Sequence, residues 1–301
     1  MKNTIRAFQF VSTAFAIAAL SACGGGDDAV TPGAASAASA PAASVPAAPA
    51  PASSTPPAST PPAAQAACRP SGDFAYSGSA SQIAANDGQL AVVVVPTLPV
   101  EVSKGRNMTA ANAPASSQVQ QASGAFTTLA SSAAASDCLG VADGTVSEIE
   151  SVGTDVAIGR WNQAMDTDGN TYTMVQGVHY AVGTPLTLSA RRGTLACTQL
   201  IADTVADGDG GVPGTLETGS ATLDLAAGTL DNLSLSISIG DTPYTFTSTR
   251  TPLNAAATSG QLSVQSVVVG HDATQPLIAV GYSATLPNTH GIGGVVVLSC
   301  K

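Results

Sequence analysis

The sequence predicts a mainly β protein: an eight-stranded antiparallel up-and-down β-barrel, with a β-sandwich as the alternative, preceded by a smaller mixed N-terminal subdomain. Three observations carry this expectation. The run "LSLSISI" places Leu233, Leu235, Ile237 and Ile239 on one side and three serines on the other, which is the period-two signature of a half-buried antiparallel strand. Less regular runs fall near 153–165, 171–184, 193–202, 216–225, 243–250, 260–270, 277–286 and 292–300, separated by turns such as "DTDGN", "ADGDGG" and "GDTP". Short strands at that spacing build sandwiches and barrels, and a closed barrel removes the edges through which crowded molecules would pair. Aromatic residues make up only 4% of the chain, so the core has to be built from Val, Leu, Ile and Ala.

In chain order, Lys2 and Arg6 precede "AFQFVSTAFAIAALSA", an apolar run too short to span a bilayer. Residues 1–22 read as a secretory signal. The run ends in Leu20-Ser21-Ala22-Cys23, which resembles the lipobox of bacterial lipoproteins at every position. The resemblance implies that Cys23 becomes the first mature residue and that its thiol carries a diacylglycerol through a thioether, its freed amine being acylated as well. Several acyl chains, at about 0.8 kcal/mol per buried methylene, anchor a protein far more firmly than one does. In that family an aspartate directly after the cysteine retains the protein at the inner membrane. Gly24 stands there instead, so the resemblance implies the outer membrane, with the periplasmic and cell-surface faces both open.

Residues 23–67 read as a lipid-anchored disordered linker, since from residue 29 onward they are almost entirely Ala, Pro and Ser and offer too little apolar surface to fold. Its prolines favour polyproline II at about 3.1 Å per residue, so roughly 40 residues would reach up to roughly 120 Å. Residues 68–145 read as a small mixed subdomain or extension, and 146–301 as the barrel. Within the former, "GQLAVVVVPTLPVEV" is a buried strand ending at Pro96 and Pro99. Ser116 to Ser136 is compatible with a helix because alanine is the best helix former, although Gly124 works against it.

Once Cys23 is assigned to the lipid, Cys68, Cys138, Cys197 and Cys300 remain. An even number in an exported chain points to two disulfides. Of the three connectivities, Cys68–Cys138 with Cys197–Cys300 is favoured, because the first pair brackets the weakly patterned segment most in need of a staple. Loops of this size are worth about 4 to 5 kcal/mol each in the chain-entropy model. A metal site fits poorly, since no two of these cysteines are close in sequence and His179, His271 and His290 form no ligand-spaced pair.

Loss of the signal removes Lys2 and Arg6 and no acid, leaving eight basic against twenty acidic residues, a formal charge of −12. That balance argues against nucleic acid or anionic lipid as a partner.

Few residues suggest chemistry. "DTDGNTY", Asp166 to Tyr172, resembles a calcium loop at first sight. With Gly169 at the sixth place of an EF-hand, however, Ala164 and Val175 occupy the first and twelfth ligand positions. An Asp-Gly hairpin turn accounts for the same residues, and "ADGDGG", Ala206 to Gly211, has the same two readings. There is no G-x-S-x-G, S-x-x-K, H-E-x-x-H or phosphate-cradling glycine loop, so no catalytic residue, cofactor or metal site is assigned and the chain is not read as an enzyme. His179 reads as a strand-surface histidine, His290 as a turn histidine and Arg191-Arg192 as a solvated turn. Trp161, the single tryptophan, reads as core.

The order "IGRW", "VHYAVGTP", "RRGTLACTQL" and "ATLDL", followed by serine-alternating strands, resembles the barrel domains of transferrin-binding protein B and related surface lipoproteins of Gram-negative bacteria. The likeness covers about 150 residues. The family's closing turn carries an aromatic and an acid that "HGIGGVVVLSCK" lacks. The resemblance implies an eight-stranded barrel that binds proteins through its loops, and it carries over no catalytic residue. The expected function is therefore a stalked binding module with a protein or small-molecule ligand at the barrel loops, the alternative being a structural envelope lipoprotein without a dedicated ligand. An apolar pocket at a barrel mouth favours the first, and a barrel filled solid favours the second.

Overall fold

Two kinds of sequence run become two kinds of strand: those alternating between apolar and polar residues, with one wet face, and those apolar without interruption, with both faces covered. The computed structural model describes residues 60–99, 106–189, 192–286 and 291–301. The expected signal peptide, Cys23, the linker as far as residue 59, Arg191 and His290 lie outside the described residues.

A helical turn, α1 (Ala63–Ala67), precedes the first sheet, which holds β1 (Phe74–Gly78), β2 (Gln89–Thr97), β3 (Met108–Pro114), β4 (Val119–Gln120), β5 (Phe126–Ala130), β6 (Cys138–Val152), β7 (Val156–Asp166) and β8 (Gly177–Gly183). Its order is β3-β2-β8-β7-β6-β5-β4, antiparallel except that β1 runs parallel to β6, and it curves into a half-barrel. The second sheet holds β9 (Thr194–Ala202), β10 (Ala206–Asp207), β11 (Gly214–Asp224), β12 (Thr229–Ile239), β13 (Thr242–Pro252), β14 (Ala255–Ser259), β15 (Leu262–Val269), β16 (Leu277–Thr285) and β17 (Gly291–Cys300). Its order is β13-β12-β11-β9-β17-β16-β15-β14, with β10 beside β17, and it forms a nearly closed eight-stranded antiparallel barrel. No helix among the described residues is long and apolar enough to cross a membrane.

Three expectations need correction. A boundary at 145/146 cuts through β6, and β7 and β8 pair with β6 and β2 in the half-barrel, so the barrel strands begin at Thr194. Alternation reveals which way a side chain faces, not which sheet a strand joins. The segment Ser116 to Ser136 is not a helix: it forms β4 and β5 and lies between two short 3₁₀ turns. Gly124 has φ +88° and no room for a side chain against the Ala80 carbonyl, while the Gln118 amide bonds to both backbone groups of Ala130 at 2.7 and 2.9 Å. The linker ends earlier than residue 67, because Ala64 of α1 is buried with Cys68, Ala130 and Cys138.

The two disulfides are Cys68–Cys138 and Cys197–Cys300. The second joins β9 to β17, where the two cysteines stand in register.

The alternating run in β12 puts Leu233, Leu235 and Ile237 into the barrel, where they pack with Leu223, Val280, Tyr282 and Leu298. The three intervening serines are half-buried on the outer face. A second core fills the half-barrel around Trp161, Tyr180 and Phe126, pinned by Trp161 Nε1 donating to the Phe126 carbonyl at 2.8 Å and Phe126 N donating to the Tyr180 hydroxyl at 3.1 Å. A third layer lies between the sheets: Ala91, Val93 and Val95 of β2 meet Val267 and Val269 of β15, Ala279 of β16, and Val295 and Val297 of β17. This accounts for the unbroken "LAVVVV" and "VVVL" runs, whose strands have an apolar layer on each side.

Candidate functional site

The barrel interior is filled by its own side chains, and one concave surface lies outside it, where the two sheets meet at one end. One groove, of about 680 Å³, is built from turns of both sheets. Its half-barrel bank is the Asn86–Gln89 turn, closed by reciprocal backbone hydrogen bonds of 3.0 and 2.9 Å, together with Ala111 and Asn112 of β3. Its barrel bank is the β11–β12 turn, Leu225 to Gly228, and the β13–β14 turn at Leu253 and Asn254. The connector from Pro185 to Leu188 contributes to its lining.

Side-chain hydrogen bonds hold these turns. Asp224 Oδ1 accepts from Ala226 N at 2.8 Å and Ala227 N at 2.9 Å, and those amides hold its carboxyl below the usual aspartate range. Asn254 Oδ1 accepts from Val268 N at 3.0 Å, Leu253 N donates to the Gly228 carbonyl, and Asn86 Nδ2 donates to the Pro185 carbonyl at 3.2 Å. The groove thus offers amides beside Leu186, Leu188 and Leu253, a mixture suited to a peptide segment with its own backbone amides and apolar side chains.

The groove opens at the end remote from the chain entry. Cys68 sits against Gly140 and Thr167, beside the end of β7 at Asp166, whereas the start of β7 at Val156 pairs with Gly183, two residues before the groove. The eleven residues of β7, ten steps of about 3.3 Å, separate the two ends by roughly 33 Å.

A buried polar cluster ties the two sheets together. His179 Nδ1 on β8 faces Asp203 Oδ2, just after β9, at 2.5 Å, and neither side chain touches solvent. Asp203 Oδ1 also accepts from Val295 N at 2.8 Å. Burial pushes the Asp203 carboxyl up, with the His179 contact and the Val295 amide pulling the other way. Glu148 Oε1 pairs with Arg160 Nη2 at 2.5 Å, and its Oε2 accepts from Thr204 N at 2.6 Å. His179 is therefore not on a strand surface as expected. Its enclosure makes the pair a clasp between the sheets rather than a base that a substrate reaches.

The other singled-out residues serve structure. Asp166 Oδ1 accepts from the backbone amides of Asp168 and Asn170, and Oδ2 from Asn170 Nδ2 and the Tyr172 hydroxyl, so its lone pairs are spent on the turn. Burial and that carboxylate push the Tyr172 hydroxyl well above its usual range. In the Ala206 to Gly211 loop, Gly210 N donates to the Asp207 carbonyl at 3.0 Å and Asp209 N to Asp207 Oδ1 at 2.9 Å, again a turn. Trp161 is core as expected, Arg192 is exposed, and His271 pairs with Asp155 at the surface. Asp203, Glu148 and the groove residues had no pattern in sequence to single them out.

No protein-family model, no curated protein and no solved structure matches the chain.

Proposed function

We propose that this protein is an outer-membrane lipoprotein, anchored through acyl chains on Cys23, that holds a β-barrel binding module away from the bilayer on an Ala/Pro/Ser linker. It takes a segment of a partner protein in the groove between the Asn86–Gln89 turn and the barrel turns. The observation that carries this reading is the position of the groove: it gathers amides and leucines from both sheets at the end opposite the chain entry, where a tethered module presents itself to other molecules. The second reading, an envelope lipoprotein with a structural role only, draws on the solid packing of the barrel interior.

A photo-crosslinking side chain at Asn112, inside the groove, is compared in intact cells with one at Thr245, on the exposed face of β13. A discrete crosslinked protein from Asn112 and none from Thr245 supports the binding module. Equal yields, or none from Asn112, favour the structural reading. The anchor is tested separately: Cys23→Ala is expected to abolish palmitate labelling, and label retained in the variant rejects lipidation at that thiol.

A further inference from the structure

Of the five acid–base contacts among the described residues, the one between His179 and Asp203 alone has both side chains fully withdrawn from solvent. It joins β8 of the half-barrel to the segment after β9 of the barrel, and groups from the neighbouring strands surround it. Val95 of β2 and Arg160 of β7 flank His179 in register. The Val295 amide of β17 donates to Asp203 Oδ1, and Asp203 N donates back to the Val295 carbonyl at 3.2 Å. Tyr282 of β16 approaches from inside the barrel: a side chain on Gly294 would lie 2.5 Å from its hydroxyl and 3.0 Å from Asp203 Oδ1. Glu148 of β6 is held by Arg160 and the Thr204 amide. Tyr180 of β8 belongs to the half-barrel core, its hydroxyl accepting from Phe126 N. Neither His179 Nε2 nor the Tyr282 hydroxyl has a hydrogen-bond partner.

We propose that this cluster is a proton-dependent latch between the sheets: His179 and Asp203 share one proton through neutral pH, and the junction loosens when rising pH removes it. Charge balance requires the proton. Arg160 and Glu148 cancel, so the cluster is neutral only while the pair holds one proton. Without it the Asp203 carboxylate is an uncompensated charge out of reach of water, which is costly. Burial, which pushes the Asp203 carboxyl up, acts in the same sense. Burial also pushes the Tyr282 hydroxyl well above its usual range, so it stays neutral and supplies no charge. Where the sheets part, water solvates both groups and each returns to its ordinary value, about 3.9 for aspartate and about 6.5 for histidine. The open form therefore sheds the proton above the ordinary histidine value, while the closed junction keeps it. A proton held only by the closed form makes closure weaken as pH rises, by up to about tenfold in the opening equilibrium per pH unit, until the closed pair loses the proton too. One atom reports that proton. In both one-proton forms, imidazolium beside carboxylate or imidazole beside carboxylic acid, His179 Nε2 carries a hydrogen. Without the proton, the ring keeps its hydrogen on Nδ1 facing Asp203 and Nε2 is bare.

The test is nitrogen NMR of the His179 ring in the full, disulfide-intact chain as pH is raised. Nε2 is expected to carry a hydrogen at about pH 7 and to lose it only at a midpoint above the ordinary histidine value of about 6.5. A bare Nε2 at about pH 7, or a midpoint at the ordinary value, overturns the proposal. Denaturant unfolding gives a second readout that a merely structural contact would not move. Between about pH 7 and pH 9 the unfolding constant of the parent should rise by up to about tenfold per unit. Asp203→Asn reproduces the hydrogen bonds of the protonated pair, its carbonyl oxygen accepting from Val295 N and its amide donating to His179 Nδ1, so it should fold and lose that dependence. Equal pH dependence in the parent and in Asp203→Asn overturns the latch. If the variant does not fold, the ring nitrogens of the parent decide alone.

Discussion

Gly281 of β16 stands so close to Val93 of β2 that a methyl group on it would lie 2.5 Å from Val93 Cγ1 and 2.6 Å from Val95 Cγ2. The half-barrel and the barrel thus approach through a position where only hydrogen fits. Gly281→Ala is expected to force the sheets apart locally and to cost about 1 to 3 kcal/mol, the range for overpacking a dense interior. Val93→Ala in the same chain should recover part of that loss, because the two changes share one contact. Denaturant unfolding of the single and double variants measures both effects. Strictly additive losses would show that the sheets do not meet there.

The register of β12 is tested by a neighbouring pair. Ile237 is fully buried in the barrel, while Ser236 is on the outer face. Ile237→Asp buries a charge without a partner and should unfold the domain or lower its melting temperature steeply. Ser236→Asp should stay within about 0.5 kcal/mol of the parent. Equal damage from both would mean that both faces are dry, and equal tolerance would mean that neither belongs to a packed strand.

How far the sequence revealed the fold depends on the kind of information each residue carries. The alternation of Leu233, Leu235 and Ile237 identifies a strand and its inward face, because period two is a local property. It is silent on partners, so β7 and β8 looked like barrel strands although Arg160 and His179 pair within the half-barrel. The residues 255–259, "AAATS", form β14, too short and too small-residued to stand out. Ser116 to Ser136 has helix-forming composition, but buried Thr127, Thr128 and Phe126 of β5 override it. The pairing of the cysteines was legible because so few connectivities exist. The groove was not: Asn86, Asn112, Pro185 and Asn254 come from four separate stretches brought together only by tertiary structure.

Asp224 provides a pH dependence in the groove wall. The Ala227 and Ala226 amides lower its folded pKa. A lowered folded pKa means that its contribution to the turn is fully present above the unfolded aspartate value and is lost as pH falls through the folded one. The Ala226 and Ala227 amide resonances should therefore shift together on acidification, with a midpoint below that of an ordinary aspartate, and Asp224→Asn should flatten the curve. A midpoint at the ordinary value would show that the carboxylate does not hold the turn.

Both disulfides should leave Cys68, Cys138, Cys197 and Cys300 unreactive to alkylation without reductant. Peptide mapping of the unreduced chain should recover Cys68 with Cys138 and Cys197 with Cys300. Each closes a loop worth about 4 to 5 kcal/mol in the chain-entropy model, so reduction should lower the melting temperature sharply. A melting temperature unmoved by reductant would show that the loops are held by packing alone.

The groove is assembled from the half-barrel and the barrel together, so it requires the valine layer to make one cooperative body of the two. Trp161, the single tryptophan, reports on the half-barrel core, and the amides of Leu235 and Ile237 report on the barrel. Thermal unfolding of the disulfide-intact chain, followed by Trp161 fluorescence and by those amide resonances in one buffer, should give a single coincident transition. Two separated midpoints, one for each probe, would contradict the shared layer and the groove built across it.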